Sequence, residues 1–155
     1  MSADARAGAP RPHPIAPIVG RLHHVGIAAA DAGAARALYG DLLGMRESWD
    51  ETIEAQGVRV IFFALGAGTE IEILIPTRED SPVARFIARH GPGLHHVAYE
   101  VEDIVAALAA CRDGGLRLVD LVPRIGARGH RVAFLHPDAA GGVLVELVEE
   151  PRPPA

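Results

Sequence analysis

Two histidine pairs and two strand glutamates have the types and spacing to hold a cation. Leu22-His23-His24-Val25-Gly26-Ile27 returns as Leu94-His95-His96-Val97-Ala98-Tyr99, an offset of 72 residues. The stretch from Arg59 to Leu74 returns from Arg131 to Leu147, and the offset drifts from 72 to 74. Each copy therefore carries histidine near its start and a glutamate, Glu72 or Glu146, inside an apolar run near its end. Two carboxylates and two imidazoles converging in a cleft are unstable as bare groups, because the acids repel and burial opposes their charge. A divalent cation resolves the conflict. Neutral imidazole with carboxylate suits Zn, Co, Mn, Ni or Fe, and the lone Cys111 lies away from the repeat's ligands. Four protein ligands on an octahedral ion leave two positions for water or a bidentate substrate, which suits Lewis-acid work on a carbonyl.

Each of these residues has a plainer reading. Glu70 and Glu72 fall on one face of a strand, where an acid can simply be solvated. The return of a glutamate at the equivalent place in the other half weighs against that. Within each histidine pair, strand alternation sends the two side chains to opposite faces. Spacing does not choose between His23 and His24, or between His95 and His96.

The internal repeat sets the architecture. A chain of 155 residues with 49% apolar content makes one domain, and half-repeats of about 50 residues are too small to stand alone. Net charge of −5 argues against nucleic acid as a partner. No apolar run approaches the roughly 18–20 residues of a membrane span. The chain contains no lysine, which excludes Schiff-base chemistry and a Gly-Lys-Ser/Thr phosphate loop. A single cysteine excludes an internal disulfide and fits a reducing compartment, here taken as the cytoplasm. Residues 1–20, rich in Ala and Pro, read as a flexible tail, and residues 150–155 as a loose end.

The elements that must position the ligands follow from local signals. Module one spans about 21–76. Arg21–Ala28 reads as a buried strand. Asp31 caps a helix running toward Leu43, with Ala34, Ala37, Leu38 and Leu42 as its buried stripe. Strands follow at Arg46–Ile53, Val58–Leu65 and Glu70–Ile75, the last two joined by Gly66-Ala67-Gly68. Ser81-Pro82 opens a connecting helix, about 81–90, that Gly91 closes. Module two spans about 94–149. It has a strand from Leu94 to Val101, then a helix capped by Asp103 with Ile104, Ala107, Leu108 and Cys111 on one face. Strands near Leu116–Leu121, Gly129–Leu135 and Gly142–Val148 complete it. The fold class is α+β, two tandem βαβββ modules forming one curved mixed sheet around a metal site. Trp49 and Tyr39 are expected to pack, and Cys111 to act as a buried small apolar group.

This pattern resembles the vicinal oxygen chelate superfamily and, within it, is most similar to the methylmalonyl-CoA epimerase family. The resemblance is carried by LHHVGIA (22–28), QGVRVIFF (56–63), TEIEILIP (69–76), DSPVARFIARHGPGLHHVAYEV (80–101), PRIGARGHRVAFLHP (123–137) and GGVLVELVE (141–149). It covers most of residues 21–149, including loops that no metal site requires. It implies His24, Glu72, His96 and Glu146 as ligands of a divalent metal (Co, Mn, Zn or Ni), taking the second histidine of each pair. It also implies a homodimer acting on an acyl-CoA, with Glu146 as a proton handler in epimerisation at C2 through an enolate. Gln56, Arg128 and His130 are the substrate-binding candidates. Two departures stand out. The loop after Ile125-Gly126-Ala127, where the family usually has a Gly-Lys pair, reads Arg128-Gly129-His130-Arg131. A glutamate proposed as second base in part of the family falls at Val60, and Glu54 is a weak substitute. Two alternatives remain: glyoxalase I-type isomerisation of a glutathione hemithioacetal, and a metal-free resistance-type binding protein.

Overall fold

The computed structural model describes residues 19–152. The expected tail lies outside that range except for Val19 and Gly20, which begin the first strand, and residues 153–155 also lie outside it. The strands are β1 (Val19–Ala28), β2 (Arg46–Ile53), β3 (Val58–Ala64), β4 (Glu70–Pro76), β5 (Gly93–Val101), β6 (Arg124–Ile125), β7 (Arg131–Leu135) and β8 (Val145–Glu149). The helices are α1 (Ala32–Ala35, continued by a π-wound stretch over Arg36–Leu42), α2 (Pro82–His90) and α3 (Ile104–Asp113).

All eight strands form one sheet in the order β2-β3-β4-β1-β5-β8-β7-β6. From its centre outward, each half repeats the other: β1, β4, β3, β2 on one side and β5, β8, β7, β6 on the other. The β1/β4 and β5/β8 pairs are parallel, and the remaining pairs are antiparallel. A parallel pair needs a crossover connection. Within module one that connection also carries two more strands, and this places the late glutamate strand directly beside the early histidine strand. The modules meet through antiparallel β1 and β5, so the four ligand-bearing strands β4-β1-β5-β8 lie side by side at the centre.

Caps behave as their sequences dictate. The Asp103 carboxylate accepts from the backbone N–H of Val105 and Ala106, both at 3.0 Å. Ser81 Oγ accepts from Ala84 N, with Pro82 in the first turn. α3 buries Ile104, Ala107, Leu108 and Cys111 against Ala133, Leu135 and Leu147. In module one, Ala35, Ile61, Phe63 and Ile73 make an equivalent core.

Three expectations fail. The stripe of the first helix is Ala32, Ala35 and Tyr39, not Ala34, Ala37, Leu38 and Leu42; Leu38 and Leu42 are exposed. The inward positions keep helical i, i+3, i+7 spacing but in a different phase from the expected stripe, because packing on Ile61, Phe63 and Ile73 chooses the face and an alanine-rich segment carries little signal of its own. Leu116–Leu121 forms no strand: Leu118 alone bridges Leu135, and the edge strand is the two-residue β6. An apolar run flanked by Gly and Pro reads as a strand, but here Val119 N–H and Asp120 N–H converge on the single carbonyl of Phe134 in place of a regular ladder, and the Val119 and Leu121 side chains stay exposed. Trp49 does not pack in the core; it is exposed on the edge strand β2, with its indole N–H on Glu51.

Replacing Asp103 by Ala removes the acceptor for two free N–H groups. It is expected to lower stability by about 1 kcal/mol, read as a lower urea midpoint at unchanged slope.

Candidate metal centre

The β1–β5 register brings the halves of the repeat together. His24 lies opposite Ala98, and His96 lies opposite Gly26. These are the same two repeat positions, each paired with its counterpart. Gly26 is also the partner of Glu72 across β4, and Ala98 is the partner of Glu146 across β8. A small residue thus stands beside every ligand. At Gly26 the need is absolute, because a Cβ there would fall within the His96 imidazole.

His24, Glu72, His96 and Glu146 each offer one ligand atom, all within 4.8 Å of one another, and all four residues are buried. His24 Nε2 is 3.2 Å from Glu72 Oε2 and 3.0 Å from Glu146 Oε2. His96 Nε2 is 3.3 Å and 3.0 Å from the same two atoms. The two Nε2 atoms are 2.9 Å apart. Neighbouring donors on an ion with bonds of roughly 2.1 Å sit about 3.0–3.4 Å apart, so these separations match a shared ion. Glu146 Oε2 is buried and receives no well-formed hydrogen bond, although two imidazole nitrogens stand beside it. An orphaned buried carboxylate oxygen aimed at two nitrogen lone pairs fits a cation held among them. Two carboxylate charges against two neutral imidazoles match a divalent ion.

Without an ion, protons must take its place. Burial opposes charge on His24, but Glu72 and Glu146 outweigh it and raise its pKa to about 10. His96 is raised by the same acids against the same burial. Burial pushes the Glu72 carboxyl up, yet the adjacent imidazoles win and hold it at about 2, and Glu146 is likewise held low.

The residues that sequence reasoning missed are the first members of the histidine pairs. Alternation assigned them to the opposite face and to no role. In the β1–β5 register His23 is skipped between Leu22 and His24, and His95 between His96 and Leu94. Each pair is therefore a β-bulge, which breaks alternation and re-aims a side chain. His23 Nδ1 lies 2.7 Å from His24 Nδ1, and His95 Nδ1 lies 2.9 Å from His96 Nδ1. With Nε2 of each ligand facing the cluster, its Nδ1–H donates to the neighbouring histidine's Nδ1. That neighbour then carries its own proton on Nε2. For His23 this proton goes to Glu150 Oε1 at 3.0 Å, and Arg21 holds the same oxygen. Burial first, then the adjacent ligand histidine, lowers both His23 and His95 to about 4, so they are neutral and able to accept. Such partners fix the tautomer and aim of a metal-binding imidazole. The doubled His-His in both halves was the available signal.

The cavity at the cluster is lined by Glu72, His96 and Glu146, by Gln56, and by apolar walls that include Val58, Val60, Val132 and Phe134. Phe62 packs edge-on against His24 at 5.6 Å, and Phe134, its repeat counterpart, against His96 at 5.4 Å. Gln56 Nε2 donates to Ile125 O, tying the β2–β3 turn to β6 across the mouth. Arg128 and His130 do not line this cavity. The Arg128 guanidinium lies 4.4 Å over Phe62, pairs with Glu70 at 2.6 Å and reaches Ser48. His130 stands edge-on to His23. Arg128 is also one of two non-glycine residues with positive φ among the described residues, a conformation its pairing and its N–H bond to Glu51 help hold. Glu54 is exposed and Val60 is inert, so neither supplies an acid to the cavity.

Residues 23–134 match the family described as the Glyoxalase/Bleomycin resistance protein/Dioxygenase superfamily. An ethylmalonyl-CoA/methylmalonyl-CoA epimerase of Cereibacter sphaeroides is 44% identical over 132 residues, covering 84% of this chain and 98% of that protein. The crystal structure of methylmalonyl-CoA epimerase from Mycobacterium tuberculosis superposes with a TM-score of 0.82 at 41% identity, over 88% of this chain and 91% of that one. A methylmalonyl-CoA epimerase in complex with methylmalonyl-CoA and ammonium gives 0.81 at 38% identity, over 85% and 95%.

Because metal must displace the proton on His24, affinity for added Co or Mn is expected to rise with pH. The gain is up to about tenfold per unit for each proton released, and it continues toward pH 10, where metal-free His24 loses its proton unaided. Calorimetry in buffers of different ionisation heat reads the released protons directly. Gly26→Ala is expected to displace the His96 ring and weaken metal binding by at least tenfold; unchanged affinity would contradict the assigned ligand.

Proposed function

The chain belongs to the glyoxalase/bleomycin resistance/dioxygenase superfamily, and from that premise we propose that it is a methylmalonyl-CoA epimerase, inverting the configuration at C2. The observation that carries this reading is near full-length similarity to epimerases, joined to a buried cluster of two histidines and two glutamates. His24, Glu72, His96 and Glu146 would hold a divalent ion such as Co, Mn, Zn or Ni. When bound, that ion stabilises negative charge developing on the thioester oxygen, an effect worth several kcal/mol.

The protein's own groups do the rest. The C2 proton of a malonyl thioester is acidified by the thioester carbonyl, while the negative charge of the neighbouring carboxylate opposes enolate formation unless a cation offsets it. Glu146 exchanges it through a carboxylate oxygen, leaving an enolate. Val58, Val60, Val132 and Phe134 keep water from the carbanionic carbon, and Gln56 at the mouth offers an amide to the acyl group. Arg128 and His130 are kept as groups for the substrate's carboxylate or the CoA phosphates. To serve, Arg128 must exchange Glu70 for the incoming anion.

Glyoxalase I-type isomerisation would use the same donors, and it ranks second because the relatives described above are epimerases. A metal-free binding role is disfavoured by four buried ligands and the orphaned Glu146 oxygen. Among the described residues no helix is long and apolar enough to cross a membrane. A cytoplasmic homodimer serving propionate metabolism completes the proposal, and sedimentation of the purified chain tests the dimer.

The decisive assay is proton–deuterium exchange at C2 of methylmalonyl-CoA in deuterated water, with chelator-stripped protein before and after adding Co or Mn. Metal-dependent exchange and epimerisation are expected, with ethylmalonyl-CoA tested beside it. No exchange with any metal, together with activity on methylglyoxal plus glutathione, would reverse the ranking.

A further inference from the structure

The enolate of a malonyl thioester places two negative charges side by side, one of them on the carboxylate at C2, against walls that are largely apolar. Glu72 and Glu146 already match the charge of a divalent ion. A substrate carboxylate therefore calls for a further cation within reach of C2. Arg128 is not free to supply it, because Glu70 holds both its terminal nitrogens, at 2.6 and 3.0 Å. A second arginine, Arg124, stands over the opposite wall of the same cavity.

Arg124 lies on the short edge strand β6. It pairs with Val132 of β7, and paired residues share a face of a sheet, so Arg124 is on the cavity side. Its guanidinium carbon lies 5.2 Å from the centre of the Phe134 ring, and Phe134 packs edge-on against the ligand His96. The arrangement mirrors Arg128 over Phe62 and Phe62 against His24. What separates the two arginines is their partners. Arg124 has a single ion pair among the described residues, a loose one to Asp120 at 3.4 Å, and the same Asp120 oxygen accepts the backbone N–H of Phe134. The Arg124 side chain is 41% exposed, against 22% for Arg128. The Phe134 face steadies the guanidinium without consuming its N–H donors. Beside it, Ile125 O receives Gln56 at the cavity mouth.

Resting on the epimerase reading, we propose that Arg124 binds the carboxylate at C2 and so selects malonyl-type thioesters over acyl thioesters that lack it. A planar guanidinium gives a carboxylate two parallel N–H bonds, which fixes the orientation of the acyl group as well as balancing its charge. The C2 carboxylate is the partner, and not a CoA phosphate. The phosphates sit at the far end of the pantetheine arm, whereas a single aromatic ring separates Arg124 from a histidine of the cluster.

The test is calorimetric binding of three probes to the full, metal-loaded chain: malonyl-CoA, propionyl-CoA, in which a methyl replaces the carboxylate, and free coenzyme A. The wild type should bind malonyl-CoA about tenfold or more tighter than propionyl-CoA. Arg124→Gln should lose about 10–100-fold in malonyl-CoA affinity while propionyl-CoA and coenzyme A stay within about twofold of wild type. Arg124→Lys keeps the charge but not the fork, and should show a smaller loss, again for malonyl-CoA alone. An equal loss for all three probes overturns the assignment in favour of a phosphate contact. Unchanged malonyl-CoA affinity in Arg124→Gln overturns it outright. Should the glutamine variant fail to fold, the lysine variant decides: a loss confined to malonyl-CoA upholds the assignment, and its absence overturns it. A wild type that binds neither thioester sinks the epimerase reading itself, whereas tight thioester binding indifferent to Arg124 sinks only the role given to this arginine.

Discussion

Everything in this fold answers to two buried carboxylates that share a site with two imidazoles. Glu72 and Glu146 are almost wholly removed from water, and their oxygens crowd the same pair of nitrogens. An unpaired buried carboxylate costs several kcal/mol, and two facing one another cost more. The arrangement persists only with positive charge at its centre, supplied by protons in the bare protein or by a divalent ion. The surrounding apolar walls sharpen this demand, because charge beside them is screened far less than in bulk water.

The sheet topology meets that demand with little sequence. Each half places its late glutamate strand parallel to its early histidine strand, and the two halves join along the histidine strands. One copy of the repeat supplies half a site, and the antiparallel β1–β5 pairing supplies the rest. Close approach then depends on small residues at the crossing points, Gly26 and Ala98. The two are not interchangeable, since a methyl at Gly26 would occupy the His96 ring. The repeat has diverged where packing against the opposing ligand requires it.

Much of the frame was legible beforehand because local chemistry wrote it. Asp31, Ser81 and Asp103 cap helices because their side chains reach free N–H groups one turn on, and that needs no tertiary context. The βαβββ order followed from period and punctuation. The failures came where a non-local or irregular feature decided the outcome. Packing on Ile61, Phe63 and Ile73 chose the inward face of α1, and the run Leu116–Leu121 makes one isolated bridge to Leu135 and scattered backbone bonds beside it in place of a ladder. Arg128 drew attention as a free cation, yet Glu70, brought from a distant strand, neutralises it.

Two equivalent halves, histidine and glutamate in matched places in each, and a chemistry that calls for a divalent ion are all written in the chain. Repetition and residue type are properties of the chain, so they can be read from it. Which histidine of each pair faces the cluster, and what the other one does, emerges once the sheet is assembled. The choice depends on bulges at His23 and His95, which arise from the register between strands some 70 residues apart. Registry of that kind is set by the summed packing of the whole sheet, and no local pattern encodes it.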